Sequence, residues 1–356
     1  MNLDKITDYK PNFYRTKTVL MRVDYNTPLK KKNSQWQVAD DSRIRSSMTT
    51  LKFLLDAQAR VVLLSHLGRP QGKRVSKFSL KPVARKLNEL ALGLIGYKKK
   101  VLFSNGVTNR ATRRKVKKLV NGQMILLENL RYWGEEEKND IFFAKRLAKL
   151  GEIYINDAFS VSHRSHASVV ALPQQFSQKL VGDAFYQEIE RLEQLRQQPI
   201  RPVVLVLGGT KEDKIDYTLQ MKDWFDWLLV GGKLGKMAEE KCQEMAEKTI
   251  IAVLRENGQD ISEKSIALFN EKIKKAGTAV FAGPQGNIEK GFLTGTKEIL
   301  AAAIKANVFT VAGGGDTEMA LTQLGLIDNI NYIASGGGAM LAFLAKGTLP
   351  GIEALK

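Results

Sequence analysis

Apolar and polar residues follow one another along the chain in two rhythms. Short apolar runs rich in β-branched residues predict buried strands at Thr18–Val23, Arg60–Leu64, Val101-Leu102-Phe103, Met124–Leu127 and Glu152–Ile155. Helices are expected between them, from Asp40–Ser46 through Leu55, from Leu80-Lys81-Pro82 to Leu92, and over Asn139–Leu150. The second half repeats this grammar without repeating the sequence, with strands at Val203–Leu207, Trp227–Val230, Thr278–Phe281, Phe309–Ala312 and Tyr332–Ala334. Strand and helix in alternation predict an α/β fold built on parallel sheets. Between the halves, a polar helix over Asp183–Gln198 passes through Pro199-Ile200-Arg201-Pro202 into Val203–Leu207. That strand opens into Gly208-Gly209-Thr210-Lys211-Glu212-Asp213-Lys214, which reads as a connector carrying two phosphate-facing lysines into a cleft.

The strands end differently in the two halves. In the first they run into polar groups: Asp24 and Asn26, His66 and Arg69, Arg131, Asn156 and Asp157. Open α/β sheets place ligands at such carboxyl ends. In the second they run into glycine at five junctions: Gly208-Gly209, Gly231-Gly232, Gly283-Pro284-Gln285-Gly286, Gly313-Gly314-Gly315 and Gly336-Gly337-Gly338. Glycine lets backbone N–H groups approach a ligand, and a helix starting there adds free donors for phosphate.

A chain of 356 residues with 44% hydrophobic content suits two domains. Formal net charge is +18, unevenly spread. Residues 1–180 hold 35 Lys+Arg against 14 Asp+Glu, and the remainder 20 against 23. A basic half beside a near-neutral one fits a first domain that handles anions. Lys30-Lys31-Lys32, Lys98-Lys99-Lys100 and Arg113–Lys118 could also grip a nucleic acid. Few aromatics interleave with them, so solvated turns or helix surfaces are the plainer reading. The single cysteine, Cys242, excludes an intrachain disulfide and fits a reducing compartment. No 18-residue apolar run can span a membrane. Met1-Asn2-Leu3-Asp4 offers no apolar signal core, so cytoplasm is expected.

Three groups of residues carry candidate chemistry. Arg43, Arg69, Arg131 and Arg164, with His66, suit a substrate bearing phosphate and carboxylate, which guanidinium forks bind bidentately. Ordinary surface arginines are the alternative, and His66 and His166 also read as structural histidines. Asp24 and Asn26 orient hydroxyl groups or cap a turn. Lys211 and Lys214 suit a phosphoryl group whose charge shifts, or are solvated loop lysines; the loop is not a Walker A motif. Gly313–Thr317 precede a helix expected at Thr317–Leu324, with N–H groups for phosphate and Asp316 for Mg²⁺, unless Asp316 only caps that helix. Glu289 accepts from ribose hydroxyls or is a surface glutamate. No Ser/His/Asp array, Cys/His metal spacing or dinucleotide fingerprint is present.

Val19–Leu29 (VLMRVDYNTPL) resembles the opening of the phosphoglycerate kinase family, as do Ser65–Pro70, Leu127–Tyr132 and Asn156–Ser168 (NDAFSVSHRSHAS). The likeness continues in order through Leu207–Ile215, Ala282–Glu289, Gly295-Thr296-Lys297, Gly313–Thr317, Gly336–Ala339 and Pro350–Leu355. The resemblance implies two Rossmann-like three-layer domains with parallel sheets, joined by a helix: a phosphoglycerate domain at 1–180, the helix at 183–198, a nucleotide domain at 199–338, and a segment, 339–356, returning to the first domain. It implies a monomer that reversibly transfers phosphate from 1,3-bisphosphoglycerate to ADP, giving 3-phosphoglycerate and ATP, in line and on domain closure, with Mg²⁺. Asp24, Asn26, Arg43, His66, Arg69, Arg131 and Arg164 would bind phosphoglycerate, and Arg43 would stabilise the transferring group. Lys211 would follow that group and Lys214 would touch nucleotide phosphates. Gly209, Gly283, Gly313, Gly314, Gly315 and Thr317 would line the nucleotide site, with Gly314 counted among the catalytic groups. Glu289 would hold ribose and Asp316 the Mg²⁺. A phosphoglycerate-binding protein without activity, or a nucleic-acid-binding one, is the alternative on the same fold.

Departures from the family pattern concentrate in the second half. Three positions separate Lys211 from Lys214 where the family has four. Ala282 replaces an asparagine, Lys233 a third glycine, Ser262-Glu263 a Gly-Pro, and Ala342 a glutamate. The segment between Gly232 and Asp260 is shorter than the family pattern by some thirty to forty positions. These changes predict weaker, shallower or altered base binding, with Lys233 and Lys236 offsetting lost contacts.

Overall fold

The computed structural model describes residues 3–356; Met1 and Asn2, which begin the stretch read for a signal core, lie outside the described residues. Eight strands fall in the first part of the chain: β1 (Thr18–Val23), β2 (Leu29–Lys32), β3 (Gln35–Val38), β4 (Arg60–Leu64), β5 (Leu102–Ser104), β6 (Met124–Leu127), β7 (Ile153–Asp157) and β8 (Lys179–Val181). Six of them form one parallel sheet in the order β5-β6-β4-β1-β7-β8. The second part supplies β9 (Val203–Leu207), β10 (Trp227–Val230), β11 (Thr249–Ile251), β12 (Thr278–Ala282), β13 (Phe309–Gly313) and β14 (Tyr332–Ala334). These pair in parallel in the order β11-β10-β9-β12-β13-β14.

The central strands are buried on both faces, which is why they read as largely apolar runs rather than alternating ones. Val19, Met21, Val61 and Leu63 point to one face and meet Leu51, Leu54 and Leu55 of helix Met48–Asp56 and Val83, Leu87 and Ala91 of helix Lys81–Ile95. The three-to-four spacing on the helices and the two-residue spacing on the strands bring these side chains into one core. Val204, Val206, Ala279 and Phe281 similarly meet Phe269 and Ile273 of helix Glu263–Ile273 and Ile299 and Ala303 of helix Thr294–Lys305.

Lys30–Lys32 depart from the expected turn or helix surface. They lie in β2, paired antiparallel with β3. Asn33 and Ser34, both at positive φ, make the tight turn that such a ribbon needs. Arg113–Lys118 do cover a helix, Arg110–Lys117, together with its last-turn cap.

Contacts divide the chain into two compact units. One runs to Ile189 and takes in Leu349–Lys356; the other is Glu190–Thr348. The division falls inside helix Asp183–Gln197. The C-terminal segment joins the first unit, with Gly351 N–H donating to the Ser162 carbonyl at 2.9 Å and Lys179 Nζ to the Ala354 carbonyl at 3.2 Å. Among the described residues, no helix is long and apolar enough to cross a membrane.

Each sheet has one point where successive strands change direction of addition. In the first it lies between β1 and β7, in the second between β9 and β12. A parallel sheet opens a crevice beyond the carboxyl ends of its strands at that point.

Candidate active site

In the first unit, the crevice beside β1 and β7 is closed by a charged contact. The Asp24 carboxylate accepts from Arg43, from the Ser160 hydroxyl and, at 3.0 Å, from the Asn26 N–H. Burial alone would raise the Asp24 pKa, but Arg43, Ser160, Asn26 and Arg22 together hold it below the usual aspartate value. Asn26 reaches the next loop, its Oδ1 accepting from Gly68 N–H at 2.8 Å. Arg131 donates to the Gly68 carbonyl at 2.8 Å. Its pKa falls to about 10, through burial first and then through the neighbouring Arg164, so it keeps its charge at neutral pH. Arg164 is half-buried and Arg69 exposed. The arginines that sequence singles out therefore gather over the ends of adjacent strands, opposed by few carboxylates: Asp24, and Glu137 at 3.5 Å from Arg131 Nε.

His66 is buried and its pKa lies well below the ordinary value, chiefly through burial, with Arg131, Arg22, Arg43 and His166 adding to the effect. Its Nδ1 lies 3.2 Å from Arg22 Nη2. Arginine can only donate, so Nδ1 accepts and the proton of the neutral ring sits on Nε2. His66 is thereby preset as a donor. His166, depressed to about 3 mainly by burial, has an Nδ1 with no hydrogen-bond partner, so the structural reading accounts for only part of it.

Arg22, Glu136, Ser168 and Asn129 hold this site together, and none was among the sequence candidates. Arg22 is fully buried; its Nε donates to Ser168 Oγ at 2.9 Å, and a further N–H goes to the Val23 carbonyl. Glu136 accepts from Ser168 N–H at 2.9 Å and Ser168 O–H at 2.6 Å. Burial raises the Glu136 pKa, and Arg22 and Ser168 oppose the rise. Asn129 Oδ1 accepts from Leu67 N–H and Arg131 N–H, while its Nδ2 donates to the Leu67 and Phe78 carbonyls. The legible signal for Arg22 was a lone charge inside an apolar strand.

In the second unit, the crevice lies between the loops that leave β9 and β12. A side chain on Gly208 would place its Cβ 2.2 Å from the Pro284 carbonyl, and one on Gly283 would meet the Gly208 carbonyl at 2.3 Å. Gly283 also holds a φ of +107°, so both positions exclude other residues. Lys214 lies on the first turn of helix Asp213–Gln220 and turns inward. Its Nζ donates to the Gly208 carbonyl at 2.6 Å and the Ala282 carbonyl at 2.8 Å, bridging the two loops. Lys211 is exposed and its Nζ lies 3.9 Å from Asp316. The two loop lysines are thus unlike, one a fixed brace and one a mobile charge.

The helix after β13 starts at Gly315 rather than Thr317, with Gly314 as its cap, so Asp316 is not the capping residue. The first intrahelical bond comes from Glu318 N–H to the Gly314 carbonyl, which leaves the N–H groups of Gly315, Asp316 and Thr317 ahead of it. Thr317 Oγ accepts from Gly283 N–H at 2.9 Å and donates to the Gly313 carbonyl, tying this helix to the β12 loop. Gly209, Glu289 and Asp316 line one cavity of about 310 Å³ with Thr210, Gly232, Lys233, Gln259, Gln285, Asn287 and Met319. The glycines after β14 have a packing cause: a Cβ on Gly337 would lie 2.6 Å from the Gly313 carbonyl.

A protein-family model described as phosphoglycerate kinase matches residues 9–245 and 236–347. The chain belongs to the phosphoglycerate kinase family. A protein named phosphoglycerate kinase from Finegoldia magna is 36% identical over 95% of this chain and 96% of its own length. Another from Dictyoglomus turgidum is 36% identical over 99% of this chain and 98% of its own length. Two solved phosphoglycerate kinase structures share the architecture: that from Pyrococcus horikoshii, with a TM-score of 0.82 and 28% identity over 99% of this chain and 98% of the other, and that from Coxiella burnetii, with 0.77 and 29% over 99% of each. The family resemblance and the two parallel-sheet units expected from sequence are both borne out.

Within this family framework, the segment between Gly232 and Asp260 is compact. It holds one α-helix (Gly235–Lys241), 3-10 stretches at Gly232–Leu234 and Gln243–Lys248, and the edge strand β11. The apolar side chains lining the cavity are Leu254, Pro284, Ile288 and Met319, beside Gln259, Gln285 and Asn287.

Proposed function

We propose that the chain is a phosphoglycerate kinase that reversibly transfers the acyl phosphate of 1,3-bisphosphoglycerate to ADP, giving 3-phosphoglycerate and ATP. One observation carries the reading: an arginine cluster at the switch point of one sheet and a glycine–lysine loop at the switch point of the other, in a single chain. The first unit is the phosphoglycerate domain and the second the nucleotide domain. Arg43, Arg69, Arg131 and Arg164 hold the phosphate and carboxylate, Asp24 and Asn26 orient the hydroxyl, and His66 donates from Nε2. Gly209, Gly283, Gly313, Gly314, Gly315 and Thr317 shape the nucleotide site. Glu289 accepts from ribose. Lys211 accompanies the moving phosphoryl group, which passes in line once the two substrates meet on domain closure. No protein nucleophile is required, because a phosphate or carboxylate oxygen attacks.

Asp316 is the candidate Mg²⁺ ligand. Among the described residues, no group of three His, Cys, Asp or Glu could hold a metal by itself. One exposed carboxylate beside a phosphate site fits Mg²⁺, which keeps its waters and binds through one or two carboxylates and substrate phosphates. When bound, the ion neutralises charge on the nucleotide phosphates. A cytoplasmic monomer is the setting we propose.

Purified protein supplied with ATP, 3-phosphoglycerate and Mg²⁺ is expected to form ADP at a rate that saturates in both substrates. No turnover with ATP or GTP, even at high nucleotide, would overturn the assignment. The compact Gly232–Asp260 segment predicts a KM for ATP well above that for 3-phosphoglycerate, and an ordinary ATP affinity would count against that part.

A pH effect follows from Lys214. Burial, helped by the like charge of Lys211 and opposed by Asp316 and Asp213, lowers its pKa to about 8. Its positive charge is therefore present below pH 8 and lost above it. The KM for ADP is expected to rise several-fold between pH 7 and 9 while the KM on the phosphoglycerate side stays flat (both are read from initial rates). Equal rises in both KM values would remove Lys214 as the cause.

A further inference from the structure

From Leu90 to Leu127 the chain carries nine Lys and Arg residues and no Asp or Glu. All nine are exposed. The fold gathers them at one edge of the first sheet. Lys98–Lys100 lead into the edge strand β5, and helix Arg110–Lys117 leads from it to β6. Thr112 and Val116 turn inward, so the basic residues of that helix face solvent. Lys99 Nζ donates to the Asn121 carbonyl, and Met124 N–H donates to the Tyr97 hydroxyl at 3.2 Å, which binds the two loops to each other.

These loops lie at the amino ends of β5 and β6. Asp24 and Arg131 follow the carboxyl ends of β1 and β6, at the other end of the sheet from these loops, and the basic helix runs along the sheet edge between the two ends. Asp56 is engaged by Lys52 at 2.6 Å and Glu89 by Lys86 at 3.7 Å. The same end exposes three large aliphatic side chains: Leu92 at 56% and Leu94 at 50% from the last turn of helix Lys81–Ile95, and Val120 at 56% after the basic helix.

We propose that this edge is a docking surface for an anionic lipid bilayer. Lysines and arginines held near a negatively charged headgroup layer attract it together, and protruding aliphatic side chains gain from entering the acyl boundary. A nucleic acid would satisfy the charge but leave Leu92, Leu94 and Val120 in water. It would also find no exposed ring to stack on, since Tyr97 is buried and Phe103 half-buried. The buried inner face of the basic helix stays with the core, so loop tips make the contact and no helix is inserted.

The test is co-sedimentation of the full chain with vesicles of phosphatidylcholine alone and of phosphatidylcholine mixed with phosphatidylglycerol. Binding is expected to the mixed vesicles only, and to weaken steeply as salt rises past about 0.1 M, where the screening length is about 10 Å. Charge reversal at Lys98, Lys100, Arg113 and Arg114 should abolish binding. L92S/L94S/V120S, which leaves the charge intact, should weaken it about tenfold. Unchanged melting temperature and turnover in both variants would establish that folding is not the cause. Three results would overturn the proposal: no binding to the mixed vesicles at low salt, binding untouched by L92S/L94S/V120S, or tighter binding to a duplex oligonucleotide than to the vesicles.

Discussion

Lys211→Ala is expected to lower kcat for phosphoryl transfer by about 10²–10³-fold, the range for removing one group that meets charge developing in the transition state. The expectation rests on the contrast with Lys214. Lys214 Nζ is committed to two carbonyls in the ground state, so its position is fixed before any ligand arrives. Lys211 is 59% exposed, and the carboxylate nearest it in an ion pair, Asp316, stands at 3.9 Å, beyond hydrogen-bond range. A cation on a flexible stem can move with a phosphoryl group, whereas a braced one cannot. The loss should therefore fall on kcat, with the nucleotide dissociation constant changing only a few-fold by calorimetry. Lys211→Arg should recover little, because a planar fork does not replace a compact ammonium. A kcat within tenfold of the parent protein in Lys211→Ala would remove Lys211 from the transition state. A large rise in the dissociation constant at unchanged kcat would make it a ground-state binder instead.

The legibility of this molecule followed burial. Strands buried almost throughout, such as β1, β4, β6 and β9, are largely apolar runs, and their limits were readable to within a residue. Strands β8 and β11, three residues each, are edge strands with too little pattern to announce themselves. The β2–β3 ribbon was hidden because both its strands are largely exposed, so its lysines read as a solvated run. The arginines and the glycine loops stood out because they follow the carboxyl ends of parallel strands, and the fold sets Asp24 against Arg43 and Arg131 beside Arg164. The groups that support them were not legible. Glu136 lies in an acidic run, Glu135-Glu136-Glu137, that looks like a surface turn, and only the tertiary fold buries the middle member. Lys214 read as a phosphate-facing lysine; the structure sets it on the first turn of a helix with its Nζ on the Gly208 and Ala282 carbonyls, contacts that sequence does not show.

Arg22→Met should be the most destabilising single change in the first unit, by about 3–5 kcal/mol, the cost of leaving one member of a buried charge network without its partner. Arg22 is fully buried, and three groups depend on it: Ser168 Oγ, His66 Nδ1 and the Val23 carbonyl. Behind Ser168 stands the fully buried Glu136, whose carboxylate Arg22 helps to keep ionised. Methionine fills much of the arginine stem but supplies no donor and no charge. For a unit of this size, such a loss corresponds to a fall in melting temperature on the order of 10 °C. The sign of the pH dependence is also fixed. The folded-state pKa of Glu136 is already raised, and losing Arg22 raises it further, so the folded variant takes up a proton before the unfolded chain does. Its deficit should shrink as pH falls from 7 toward the ordinary glutamate range. Glu136→Gln alone should cost less, since an amide still accepts from Ser168. Adding it to Arg22→Met should return part of the lost stability, which a double-mutant cycle reads directly. Additive losses in that cycle would mean that the two charges are not coupled through Ser168. A melting temperature within two or three degrees of the parent protein would mean that Arg22 is not the keystone of the first unit.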